Sequence, residues 1–212
     1  MSHNHSHIIL VTGGARSGKS SFAEKYVAAH GRRIAYVATA EIFDDEMRYR
    51  VALHRKRRPA AWTTYEAPFA AEGAIRAASE AHDALLFDCL TVYLSNLVCK
   101  LSEDELADEA RVYELAHSAA DRLIAAAKES GMTCIFVTNE VGAGIVPENK
   151  LARLYRDIAG LVNQQVAAAA EAVYLTVSGI PVDIKKLASQ ISAPLSEGGG
   201  PRSGRGCGEG TP

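Results

Sequence analysis

At 212 residues and 22.6 kDa the chain has the length of one domain, long enough to bury about 70 % of its unfolded surface without disulfide or metal staples. Hydrophobic residues make up 48 % and charged residues 23 %, and Lys+Arg 23 against Asp+Glu 25 gives a net charge of −2 and a pI near 6.4, which excludes a surface wholly given over to nucleic acid. Mean hydropathy is −0.04 and no apolar run approaches the roughly 18–20 residues that cross a bilayer, so a membrane span is excluded.

In chain order, residues 1–7 form a His-rich leader with no apolar core or cleavage site, so it is no secretory signal. It reads as an incidental, disordered extension, with a stray divalent metal on its histidines as the alternative. Residues 8–12 are a short apolar, partly β-branched run that stops at Gly13-Gly14, which predicts a buried strand. Residues 19–30 favour helix and Gly31 closes it; residues 34–38 predict a second buried strand. Asp44-Asp45-Glu46 puts acid in the first turn of a helix that runs to about Arg58, where Pro59 stops it. A less regular stretch through Trp62 and Glu66 precedes an alanine-rich helix that ends near Ala81.

Residues 84–88 predict a third strand and residues 90–99 a helix. Residues 103–130 read as one long amphipathic helix ending at Gly131, and residues 134–138 as a fourth strand. A loop with Gly142 and Gly144 occupies 139–147, and a further helix spans 149–171. Residues 173–177 predict a fifth strand, turning at Gly179-Ile180-Pro181 into a sixth over 182–185. Beyond Ser189 the chain is Gly-, Ser- and Pro-rich and is expected to be a disordered tail. The expected division is leader 1–7, one domain 8–188, tail 189–212. Cys89, Cys99, Cys134 and Cys207 have no paired metal-ligand spacing, three of them lie in apolar segments, and a reducing cytoplasm is the expected compartment.

Short buried strands alternating with helices predict a mostly parallel sheet covered by helices on both faces, with an antiparallel edge near the C-terminus. Ligands of such sheets gather at the carboxyl ends of the strands. The residues there are polar or Gly-rich: Gly13 to Ser20, Thr39 to Glu41, Asp88, and Thr138 to Glu140.

Gly13-Gly14-Ala15-Arg16-Ser17-Gly18-Lys19-Ser20 matches G-x-x-x-x-G-K-[ST], directly after a predicted strand and directly before a predicted helix. Glycines let the backbone curl so that successive N–H groups face phosphate oxygens, and the helix N-terminus adds positive potential. Lys19 reaches the outer phosphates, and the Ser20 hydroxyl is a Mg²⁺ ligand. The motif predicts a nucleoside triphosphate site in a P-loop NTPase (RecA-like) α/β fold. Asp88 ends a strand where P-loop proteins keep an acid near the metal; the alternative is an N-cap for the following helix.

His54 stands within Arg50-Val51-Ala52-Leu53-His54-Arg55-Lys56-Arg57-Arg58. Like charges this dense disfavour a protonated imidazole, and a neutral imidazole is a nucleophile. The same run also reads as a solvated basic face with a bystander histidine, or as a phosphate-binding patch for nucleic acid.

The run from Val11 to Ser20 resembles the opening of the bifunctional adenosylcobinamide kinase / adenosylcobinamide-phosphate guanylyltransferase family of cobalamin biosynthesis. Tyr36-Val37-Ala38-Thr39-Ala40 with Asp44-Asp45-Glu46-Met47 is similar to its next block, and His54 with Arg58-Pro59 and Trp62 to the one after. The longest likeness is Val137-Thr138-Asn139-Glu140-Val141-Gly142-Ala143-Gly144-Ile145-Val146-Pro147-Glu148-Asn149, and the resemblance covers about residues 8–186. It implies phosphorylation of adenosylcobinamide by a nucleoside triphosphate, ATP or GTP. Transfer of GMP from GTP through a guanylylated histidine, here His54, then gives adenosylcobinamide-GDP and pyrophosphate. The resemblance places nucleotide contacts on Gly13, Gly14, Ala15, Arg16, Ser17, Gly18, Lys19, Ser20, Thr39, Ala40, Glu41, Arg55, Lys56, Arg57, Arg58, Glu66 and Asp88. Asp88 is shorter than the family's glutamate there. Mg²⁺ held by Ser20 and Asp88 with the nucleotide, and a homotrimer, are further implications. Glu140 is a candidate for orienting or deprotonating the corrinoid hydroxyl, with a loop-bracing acid as the alternative. The rival functions are a monofunctional P-loop small-molecule kinase and a nucleic-acid-stimulated ATPase; one basic cluster and 7 % aromatic residues argue against the second.

Overall fold

The computed structural model describes residues 6–42, 45, 48, 49, 51, 52, 55 and 58–192. Seven strands make one sheet in the order β3-β2-β4-β5-β1-β6-β7. The strands are β1 (His7–Thr12), β2 (Ile34–Ala38), β3 (Thr63–Glu66), β4 (Ala84–Asp88), β5 (Thr133–Val137), β6 (Ala172–Val177) and β7 (Ile180–Asp183). Every neighbouring pair is parallel except β6–β7, which is antiparallel. The helices are α1 (Lys19–His30), α2 (Ala71–Ser79), α3 (Leu90–Cys99), α4 (Glu103–Ala107), α5 (Glu109–Glu129), α6 (Lys150–Ala169) and α7 (Ile184–Ser192).

The two-residue repeat of the strands sorts the core into two layers. Ile8 and Leu10 of β1 pack with Ile75 of α2, Leu123 of α5 and Ile158 of α6. Ile9 and Val11 point the other way, with Ala23 and Val27 of α1 and Leu86 of β4. Helices therefore cover both faces, as the uninterrupted apolar runs predict.

Four expectations change. Residues 63–66 are a strand, not an irregular stretch, because this edge position needs only one hydrogen-bonded neighbour and tolerates the exposed sequence Thr-Thr-Tyr-Glu. The helix expected over 103–130 breaks at Asp108 (φ −86°, ψ 86°), whose carboxylate accepts the Arg111 N–H and caps α5. Ser102 and Glu105 form a reciprocal capping box that starts α4. The last strand begins at Ile180 rather than Val182. Ser178 (φ 51°) and Gly179 (φ 83°) make a two-residue turn that pairs Val177 directly with Ile180. Helix α7 follows and continues to Ser192, past the expected boundary at 188. Of the three cysteines in apolar segments, Cys89 and Cys134 are buried but Cys99 is exposed. Asp45, Arg48, Tyr49, Val51, Ala52 and Arg55 are helical, as expected for the segment opened by Asp44. Asp44, His54, Lys56 and Arg57 lie outside the described residues, as do the leader to residue 5 and the chain after 192.

At the amino ends of the strands, Asp83 ties three of them together. Its Oδ1 accepts the N–H groups of Arg32 (2.8 Å) and Arg33 (3.0 Å), and its carbonyl accepts Thr133 N–H at 3.1 Å. Burial pushes the carboxyl pKa up, but those two N–H groups and the nearby guanidiniums outweigh it and hold the group below its ordinary value of 3.8. A carboxylate about a third exposed is partly screened, so Asp83→Ala is expected to cost about 1 kcal/mol at neutral pH. Because the folded pKa is depressed, this contribution is complete above the unfolded value and is lost as pH falls through the folded one. Urea denaturation should show the gap between wild type and variant closing as the pH is taken below the ordinary carboxyl value of 3.8.

Candidate active site

The phosphate loop leaves β1 at Thr12 and feeds α1. Gly14, Ala15 and Arg16 stand exposed at its apex, and Ser17 N–H closes a turn on the Gly14 carbonyl at 3.3 Å. Gly18 has φ 94° and precedes α1 with no side-chain cap, which leaves the first-turn N–H groups for an anion. Both flanking strands hold the loop: Glu140 N–H donates to the Gly13 carbonyl (3.0 Å) and Gly179 N–H to the Ser17 carbonyl (2.8 Å). The approach is so close that a Cβ on Gly18 would lie 2.9 Å from the Gly179 Cα. Lys19 folds back to donate its Nζ to the Gly14 carbonyl at 3.0 Å. Burial lowers its pKa, with the Cys89 and Asp88 charges acting in the opposite direction. Ser20 is partly exposed at the mouth of the loop.

Asp88 ends β4, two strands away from β1 across β5. The Tyr36 hydroxyl donates to its Oδ2 at 2.7 Å. The alternative reading of Asp88 as N-cap is not what the structure has: Cys89 takes the cap position of α3, with no side-chain cap bond. Cys89 N–H donates instead to Thr39 Oγ1 at 2.8 Å, and that hydroxyl reaches the carbonyls of Asp88 (3.1 Å) and Cys89 (3.0 Å). Thr39 is fully buried, so its side chain stitches β2 to β4. Asn96 completes the stitch by donating to the carbonyls of Thr39 (2.7 Å) and Pro68 (3.1 Å).

Arg58 lays its guanidinium 3.5 Å from the centre of the Tyr36 ring and donates Nη1 to Thr64 Oγ1 at 3.3 Å. Its Nε is buried without a hydrogen-bond partner among the described residues. Trp62 flanks the same tyrosine, ring centroids 6.5 Å apart. Burial, and then the Asp88 charge, push the Tyr36 hydroxyl far above its ordinary pKa, so it stays protonated and can only donate to Asp88. Sequence reasoning missed Tyr36. The signal was a phenol inside a wholly apolar strand, which has to find a polar partner.

Two carboxylates stand opposite cations at the rim. Glu66 Oε1 is 2.7 Å from Arg55 Nη2, and Glu41 Oε1 is 3.6 Å from Lys100 Nζ. Glu41 Oε2 is buried without a hydrogen-bond partner among the described residues, and Ala40 is partly exposed beside it. The structure thus links Asp88, Tyr36 and Arg58 by contact and puts the Asp88 charge within reach of Lys19, while Glu66 pairs with Arg55 and Glu41 with Lys100. Thr39 is withdrawn into the sheet.

The loop after β5 is braced by polar contacts that run back to α3 and α6. Thr138 Oγ1 donates to Asn163 Oδ1 (2.7 Å), Asn163 Nδ2 to the Asn139 carbonyl (3.2 Å), and Asn139 Nδ2 to Thr91 Oγ1 (3.2 Å). Glu140 Oε1 accepts Gly142 N–H at 2.8 Å, the contact a loop-bracing acid makes.

A family model described as cobinamide kinase / cobinamide phosphate guanyltransferase matches residues 9–184. The bifunctional adenosylcobalamin biosynthesis protein CobU of Salmonella typhimurium is 46 % identical over 181 residues, 84 % of this chain and 99 % of that protein. Its namesake in Escherichia coli is 44 % identical over 181 residues, with the same coverages of 84 % and 99 %. The bifunctional adenosylcobalamin biosynthesis protein CobP of Pseudomonas aeruginosa is 42 % identical over 176 residues, 83 % and 96 % of the two chains. Among solved structures, the RadB recombinase is similar with a TM-score of 0.42 and 14 % identity, over 81 % of this chain and 74 % of that one.

Gly18→Ala tests the packing of the phosphate loop against the β6–β7 turn. The new methyl meets backbone at 2.9 Å and must adopt a left-handed conformation, so the loop has to move. The expected outcome is a lower melting temperature together with at least tenfold weaker nucleoside triphosphate binding, read by thermal unfolding with and without nucleotide.

Proposed function

Since the chain belongs to the cobinamide kinase / cobinamide phosphate guanyltransferase family, we propose how its residues divide that family's two reactions. The enzyme is a transferase of cobalamin biosynthesis that phosphorylates cobinamide and then guanylylates the phosphate. The observation that carries the assignment is the phosphate loop, whose Lys19 feels the Asp88 charge, next to the chain of contacts from Asp88 through Tyr36 to Arg58, at the end of the basic segment that contains His54.

In the kinase step the loop N–H groups and the α1 N-terminus bind the phosphates of ATP or GTP, and Lys19 leaves the Gly14 carbonyl for the outer phosphate oxygens. The aminopropanol hydroxyl of adenosylcobinamide attacks the γ-phosphorus in line; its O–P bond forms as the bond to the nucleoside diphosphate breaks, and the hydroxyl proton passes to a phosphate oxygen or to water. The Ser20 hydroxyl and the Asp88 carboxylate are hard oxygen donors of the kind that hold Mg²⁺ together with substrate phosphates. When bound there, Mg²⁺ neutralises charge on the β- and γ-oxygens. Tyr36 fixes one oxygen of Asp88 and so sets the direction of the other.

In the second step an imidazole nitrogen of His54 attacks the α-phosphorus of GTP; a P–N bond forms and the bond to pyrophosphate breaks. The phosphate of adenosylcobinamide phosphate then displaces the imidazole, giving adenosylcobinamide-GDP. Arg55, Lys56, Arg57 and Arg58 stabilise the negative charge that develops at phosphorus. The same reading makes the enzyme a cytoplasmic homotrimer. Arg55 and Arg58 are engaged with Glu66, Thr64 and the Tyr36 ring, an arrangement unlike an open stripe for a nucleic-acid backbone.

Lys19→Ala is expected to retain the fold, since its hydrogen bond to the Gly14 carbonyl is exposed, and to lower phosphorylation of adenosylcobinamide by at least about a hundredfold. Undiminished phosphorylation refutes the site. His54→Ala is expected to keep the kinase step and lose guanylyl transfer together with covalent labelling by α-labelled GTP. The wild-type adduct should be acid-labile and base-stable, as a P–N bond to imidazole is. Label retained by the variant, or an acid-resistant adduct, places the GMP on another residue.

A further inference from the structure

The loop after β5 carries an apolar apex that nothing among the described residues covers. Ile145 is 97 % exposed and Val146 62 % exposed, beside the small exposed residues Ala143 and Gly144. A loop free to move would fold two β-branched side chains inward. This one is held open from both ends. At its start Glu140 N–H is bound to Gly13, and Arg156 donates to the Gly142 carbonyl at 2.7 Å. At its end Arg153 donates to the carbonyls of Pro147 (3.0 Å) and Glu148 (2.6 Å), and Asn149 caps α6 by accepting Ala152 N–H at 2.9 Å.

The position of the apex says what it is for. Strand β5 lies between β1, which carries the phosphate loop, and β4, which carries Asp88. The loop therefore rises from between the strands that carry the phosphate loop and Asp88, and its Glu140 N–H is bonded to the first residue of the phosphate loop. The acceptor for the transferred phosphoryl group must approach from that mouth. Resting on the function assigned above, the acceptor is a hydroxyl on the end of a flexible arm. That arm hangs from a wide, flat macrocycle with apolar faces, far too large for the phosphate loop itself. Such a substrate needs an apolar support beside the reacting atoms, and residues 143–146 follow closely in the chain after Glu140, whose N–H is bonded to Gly13.

We propose that residues 143–146 form the ledge on which the corrin ring of the substrate rests, with Ile145 and Val146 as its apolar contacts. Small residues at 143 and 144 leave the ledge flat. The arginine braces keep it in place before the substrate arrives, so little ordering cost is charged to binding. The ledge positions the ring and takes no part in bond making.

The full-length wild type and the double variant Ile145→Ser/Val146→Ser are compared by equilibrium binding of adenosylcobinamide, followed through the corrinoid's visible absorbance. Nucleotide KM, labelling by α-labelled GTP, and molar mass by light scattering are measured on both. Both side chains are exposed, so the variant should fold as the wild type does. The expected result is corrinoid binding weakened tenfold or more, about 1.4 kcal/mol, with nucleotide KM, labelling and molar mass unchanged. Leu151→Ser removes an apolar residue, 39 % exposed, from α6 outside the ledge and should leave corrinoid binding as in the wild type. Unchanged corrinoid affinity in the double variant overturns the proposal, as does an equal loss in Leu151→Ser. A changed molar mass also overturns it and assigns the ledge to contact with a second copy of the chain. A wild type that neither binds nor phosphorylates adenosylcobinamide refutes the assigned function itself, a result distinct from each of these.

Discussion

Everything at the site depends on how the phosphate loop is kept open. A ring of backbone N–H groups facing solvent is a poor structure by itself, because its carbonyls need partners and its left-handed residues cost conformational entropy. Here the partners come from both neighbouring strands: Glu140 after β5 binds Gly13, and Gly179 after β6 binds Ser17. The loop is therefore fixed by the sheet's topology as well as by its own two bonds to the Gly14 carbonyl. The same bonds decide what else can stand beside the phosphates, since each brings its own loop to the mouth of the site.

On the other side of the sheet's centre, one tyrosine does the joining. Tyr36 has two usable surfaces, a hydroxyl and a π face, and both are in use at once. The hydroxyl directs Asp88, and the face carries the Arg58 guanidinium. A leucine would fill the same volume and do neither. Burial keeps the phenol protonated, so the hydroxyl is the donor in its bond to Asp88. Strand β4 and the end of the basic segment are thereby joined, and the Asp88 charge is close enough to be felt by Lys19 of the phosphate loop.

The sequence made some of this legible and hid the rest for definite reasons. The phosphate loop was readable because its residue types are dictated by backbone geometry, and a strand and a helix stood on either side as required. The central strands were readable as continuous apolar runs, and both faces of the sheet proved to be covered. Strand β3 was hidden because its exposed Thr-Thr-Tyr-Glu lacks any apolar period; its partner β2 supplies the reason for its conformation. The break at Asp108 was hidden by a helical pattern that continues through it, while the capping carboxylate acts only locally. Thr39 shows the limit of position as evidence. It sits at a strand's carboxyl end with the other site residues, yet its hydroxyl is occupied within the sheet. The role of His54 came from resemblance, since a histidine among arginines reads equally well as a bystander.

The ion pairs at the rim fit a site that must take up polyphosphate. Arg55 and Glu66 are both about half exposed, and Lys100 pairs with Glu41 across 3.6 Å with its own side chain 60 % exposed. Pairs so exposed contribute about 1 kcal/mol or less, because water screens them and two long side chains must be held still. A charge-assisted bond from the same guanidinium to a phosphate is worth about 1.5–3 kcal/mol. For Arg55 such an exchange is favourable, and Glu66, about half exposed, is left in water at little cost; Glu41, with one oxygen buried, gives up Lys100 less readily. The two acids stand on other elements than the cations they hold, Glu66 at the end of β3 and Glu41 in the loop after β2, so the sheet sets where Arg55 and Lys100 wait.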